Sequence, residues 1–111
     1  MMAITFNSSD PRSLLAAFKK AIDDRHVVTW SYDKDGDFTH TTEQWRKKAW
    51  LRPKIGNSEL RFGIVKPKNQ SISWEIYAIY QGRFIESVTA HLHDRFAYSF
   101  ATARPVADDL V

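Results

Sequence analysis

His91, His93 and Asp94 form the tightest grouping of acid–base residues in the chain. Imidazole and carboxylate groups at such spacing suit proton transfer or metal ligation, provided that they converge. On a strand the two histidines share a face. On a helix they point about 200° apart, and His91 neighbours Arg95 instead. The surrounding residues carry a helical pattern, so the grouping disperses, and neither a catalytic residue, a metal site nor a cofactor is assigned. Further ligands could come only from His26 or His40, through the fold. An enzyme or metal site built on His91 or His93 therefore ranks third among the functional readings.

Asp33, Asp35 and Asp37 around Gly36 have the look of a calcium loop. Counted from Asp33, however, the sixth position is Phe38 where the loop needs glycine, and the twelfth is Gln44 where it needs a bidentate glutamate. A tight turn accounts for the same residues. The chain has no cysteine, which excludes thiolate sites and disulfides, and its four glycines form no phosphate-cradling loop.

Residues 44–68 carry a different signal. Arg46, Lys47, Lys48, Arg52, Lys54, Arg61, Lys66 and Lys68 stand against a single acid, Glu59, so this stretch is net +7 while the rest of the chain is net −4. If two strands pair here, Arg52, Lys54 and Arg61 project from one face, with Lys47, Lys48, Lys66 and Lys68 near by. Trp45 and Trp50 lie within the same stretch. Cations that neutralise phosphates beside rings that stack on bases are the means by which single-strand binders work. The same residues also suit a solvated sheet face whose lysines deter edge-to-edge association, with the tryptophans in the core.

These residues need elements to position them. Ser8, Ser9 and Asp10 before Pro11 signal a helix start, and Leu14, Leu15, Ala17, Phe18, Ala21 and Ile22 give it an apolar face ending near Arg25. Residues 27–32 read as a strand, turning through Asp35-Gly36 in a type I′ hairpin that pairs Tyr32 with Thr39. A short helical turn is predicted over 43–49, with Thr41 and Gln44 spaced as a capping box. Strands at 50–55 and 60–65 flank Gly56, Asn57 and Ser58, and Pro53 assigns the first of them to an edge. Residues 72–80 read as a central strand. Phe84, Val88, Leu92 and Phe96 mark a second helix, and Tyr98, Phe100 and Thr102 a last strand. From Arg104 onward the chain reads as a flexible acidic tail, and Asp108 and Asp109 could fold back over the basic face.

At 111 residues there is material for one domain and one core. The expected fold is α+β: an antiparallel sheet of about five or six strands, with an N-terminal and a C-terminal-region helix on one face. No run approaches the ~20 apolar residues of a membrane span, and no secretory leader is evident, so a soluble cytoplasmic protein is expected. The leading functional expectation is a non-enzymatic binding domain that turns its basic sheet face, with Trp45 and Trp50, toward an anionic partner, nucleic acid or acidic protein. A homodimer joined through aromatic sheet surface is the alternative.

Overall fold

The computed structural model describes residues 4–104, and the α+β class holds. The elements run β1 (Ile4–Asn7), α1 (Pro11–Asp23), β2 (Trp30–Tyr32), β3 (Phe38–His40), β4 (Trp50–Ile55), β5 (Glu59–Val65), α2 (Trp74–Leu92), a 3-10 turn (His93–Arg95) and β6 (Tyr98–Ala101). The six strands make one antiparallel sheet in the order β2-β3-β4-β5-β1-β6. No helix among the described residues is long and apolar enough to cross a membrane.

Each helix starts where a side chain can take up an orphan amide. Asp10 accepts from the Ser13 N–H at 3.2 Å with Pro11 following, and Ser73 accepts from the Ile76 N–H at 3.2 Å with Glu75 in the first turn. Both helices cover the same face of the sheet. Their meeting point is Phe84, fully buried and ringed by Phe62 at 4.7 Å, Trp30 at 4.9 Å, Phe18 at 5.3 Å and Phe38 at 5.7 Å between centroids. Such tilted and edge-on contacts add to the area buried by each ring. The acids closing α1 also find partners: Asp24 pairs with Lys20 at 2.7 Å, and Asp23 accepts the Tyr32 hydroxyl at 2.7 Å, which holds that phenol above its usual pKa.

Several expectations are corrected. Residues 72–80 are not a central strand; all but the first two belong to α2, because Tyr77, Tyr80, Phe84, Val88 and Leu92 recur at helical spacing and bury together behind the Ser73 cap. Phe96 lies beyond the helix, against Phe6 at 5.1 Å. The strand missed by the sequence reading is β1, which sits between β5 and β6 with Ile4 and Phe6 fully buried.

The first hairpin is one residue out of register: Tyr32 pairs with Phe38 and Trp30 with His40. Asp33 is the reason. Its carboxylate accepts from the Asp35 and Asp37 N–H groups at 2.9 and 3.0 Å, which fixes a longer turn in which only Gly36 takes positive φ. A slip of one residue exchanges the faces, so Phe38 and His40 join the core in place of Thr39 and Thr41. Strand β4, expected at an edge because of Pro53, lies inside the sheet. Its only register partner in β3 is Phe38, opposite Leu51, so Pro53 lies beyond the paired stretch on that side and its missing donor disrupts no ladder there. Residues 43–48 make a single helical turn, with the Thr42 carbonyl accepting from the Arg46 N–H at 2.8 Å, which Lys47 at φ 56° ends before a helix develops. The acidic tail, apart from Arg104, lies outside the described residues.

Candidate functional site

Alternation along the strands leaves one face of the sheet without helices. The registers align Lys54 of β4, Arg61 of β5, Thr5 of β1 and Phe100 of β6 in a row across that face. On one side of the row Arg52 stands opposite Gly63, followed by Trp50 opposite Val65. On the other side lie Glu59, Asn7 and Tyr98. Tyr98 and Phe100 are 57% and 45% exposed, large values for rings on a sheet. Trp50 is partly exposed.

Of the residues singled out in the sequence, Trp50, Arg52, Lys54 and Arg61 thus share one surface. Because Trp50 pairs with Val65, the connections before β4 and after β5 emerge at the same end of this hairpin. They carry exposed Arg46, Lys47 and Lys48 on one side and exposed Lys66 and Lys68 on the other. Trp45 is not part of this face; it packs partly buried against the core cluster. Tyr98 and Phe100 were missed as members of the surface. Their alternation with Ser99 and Ala101 was legible, but their nearness to Arg61 depends on β1 lying between β5 and β6.

Acids of the chain itself engage both sheet arginines. Arg52 donates through Nε and Nη2 to the Asp37 carboxylate at 3.1 and 3.0 Å, and this bond, with the charge of Asp37, raises the guanidinium pKa further. Arg61 holds its Nε 3.5 Å from Glu59 Oε1, and that buried Nε–H makes no hydrogen bond among the described residues. Each guanidinium has five N–H donors, so both keep donors for a visitor.

A second feature lies apart from this face. A cleft of about 530 Å³ is lined by Thr29, Trp30, His40, Trp45, Arg83, Glu86, Ser87 and His91, among others. His40 is 4% exposed, stacked on Trp30 at 4.6 Å, with Nδ1 2.7 Å from the Thr29 carbonyl. Burial lowers its pKa and the Arg83 charge lowers it further, against the opposing pull of the Thr29 carbonyl. The imidazole is accordingly neutral at pH 7, with its proton on Nδ1 facing a carbonyl that can only accept.

His91 and His93 do not converge. His91 reaches back to the Ser87 carbonyl at 3.0 Å and lines the cleft, whereas exposed His93 reaches the Thr89 carbonyl at 3.2 Å outside it. Among the described residues no three His, Asp or Glu side chains gather as a metal site requires.

No family model, curated protein or solved structure matches this chain. Function therefore has to be argued from side-chain geometry.

Proposed function

We propose that the uncovered sheet face is a docking surface for an anionic polymer, with single-stranded nucleic acid as the form it suits best. The observation that carries this reading is the alignment of Lys54, Arg61 and Phe100 across the face, with the buried Thr5 between the last two, Arg52 and Trp50 on one flank and Tyr98 on the other. Strands spaced about 4.8 Å apart put Phe100 and Lys54 about 14 Å from one another, a span of two to three nucleotides. Exposed rings at one edge and at the loop end then stack on bases, while the cations between them meet phosphates. An acidic protein would use the cations and leave the rings without a role, which is why nucleic acid is the preferred partner.

Asp37 and Glu59 limit the strength of this surface. With about three phosphates neutralised, log K should fall with log salt at a slope of about −2, or roughly 20-fold in affinity between about 50 and 200 mM. The test is fluorescence anisotropy of a labelled oligothymidylate at both salt concentrations. The wild-type protein is expected to bind with that slope. Lys54→Glu should flatten it, and Phe100→Ala should weaken binding by about 1–3 kcal/mol if one base stacks there. Absent binding at low salt overturns the reading. So does polyglutamate binding as tightly as the oligonucleotide, which would point to an acidic protein, or a concentration-dependent doubling of mass by light scattering that occludes Phe100, which would point to a homodimer.

A further inference from the structure

The cleft beside α2 has no part in the docking face, and its construction is unlike that of a passive surface dent. Its volume falls in the range of small-molecule sites, roughly 300–1,000 Å³. One wall is the stacked pair Trp30 and His40, both almost wholly buried, with Trp45 contributed by the turn before β4. Polar groups enter from the other wall, α2, as Arg83, Glu86, Ser87 and His91. The partly exposed ring of Trp45 on one side and a few polar groups on the other is the usual composition of a ligand pocket.

His40 gives the cleft its chemical preference. Nδ1 is committed to the Thr29 carbonyl and one ring face is covered by Trp30. Nε2 makes no hydrogen bond among the described residues, yet it is not among the buried polar atoms sealed from solvent. In a residue 4% exposed that lines this cavity, the Nε2 edge is what remains open. An imidazole whose Nδ1 carries the proton offers a lone pair at Nε2 and nothing to donate there. A ligand with a ring N–H or O–H satisfies that lone pair; one without a donor leaves it unpaired.

We infer that this cleft is a binding site for a small planar aromatic molecule carrying one N–H or O–H donor, which lies against Trp45 and donates to His40 Nε2. Arg83 and Glu86, 3.9 Å apart and too far for a firm hydrogen bond, are free to rearrange toward substituents at the mouth. The site needs no contribution from the uncovered sheet face, so it stands or falls independently of the docking proposal.

The test uses the whole chain with indole as probe and benzofuran as its near-isostere without the N–H, followed by NMR of the histidine ring signals. Indole should shift the His40 resonances saturably and leave those of His26 and His93 in place, with benzofuran at least about tenfold weaker, the effect of about 1.4 kcal/mol from one unmade hydrogen bond. Ala90 is exposed and lines the cleft, so Ala90→Trp fills the space without touching the core and should abolish the shift. The inference is overturned by any of three results: no saturable His40 shift up to the solubility limit of indole, equal binding of benzofuran, or undiminished binding to the Ala90→Trp variant.

Discussion

Burial of His40 ties the stability of the protein to protons in a way that one substitution can isolate. Its folded pKa is depressed, first by desolvation and then by Arg83, while an unfolded chain titrates this residue near pH 6.5. Below that pH the unfolded state takes up a proton that the folded state refuses. The contribution of His40 is therefore fully present above about pH 6.5 and is lost as the pH falls from there through the folded pKa, at most by about 1.4 kcal/mol for each pH unit. The groups that face the ring, Arg83, Glu86 and His91 from α2, remain in the substitution His40→Asn. An asparagine amide can replace the Nδ1–H toward the Thr29 carbonyl but carries no titrating proton. The variant loses the stack on Trp30, about 0.5–1.5 kcal/mol at every pH. Urea unfolding followed by tryptophan fluorescence at about pH 7.5, 6.5 and 5.5 separates the two effects. The expected outcome is the full deficit at the highest value and a gap that narrows by up to about 0.4 kcal/mol at about pH 6.5 and by up to about 1.4 kcal/mol at the lowest. Parallel stability curves down to about pH 5.5 would refute the burial argument.

Two further outcomes follow from the packing. Tyr80 is fully buried, and its hydroxyl donates to the Trp45 carbonyl while accepting the Lys48 N–H at 3.2 Å, so Tyr80→Phe should cost about 1–3 kcal/mol in denaturant unfolding and speed amide exchange across residues 42–48; unchanged exchange there would deny the hydroxyl its anchoring role. Gly82 lies in the interior of α2 with nothing within 4 Å of where a Cβ would stand, so Gly82→Ala should raise stability by roughly 0.5–1 kcal/mol, and a fall in Tm would contradict the open space.

What could be read from the chain alone was whatever local chemistry settles. The Asp10-Pro11 start of α1, the β4–β5 hairpin around residues 56–58 and the late strand at Tyr98 all rest on neighbours within a few positions. What went unread depended on distant partners. Residues 72–80 satisfy both a two-residue and a helical period, and only the buried surroundings of Tyr77 and Tyr80 decide for the helix. The four residues of β1 are too few to show a pattern, and their strand identity comes from β5 and β6 on either side. The candidate surface divided in the same manner. Arg52, Lys54 and Arg61 follow from hairpin alternation, but the acid that engages Arg52 sits 15 positions upstream, beside a turn whose register is set by Asp33 and not by the Asp35-Gly36 pair. His40 was reachable in principle, through its alternation with Phe38, had the Asp33 carboxylate been recognised as the feature setting that turn.

The placement of β1 has a consequence for how the protein comes into being. Strand β1 is made before both of its partners, residues 59–62 and 98–101, so its two sides stay open until β5 and then β6 have been synthesised. Folding is thereby a late event, with long loops to close before Ile4 and Phe6 find cover, and a nascent chain that stalls beforehand presents a sticky hydrophobic strand to its surroundings.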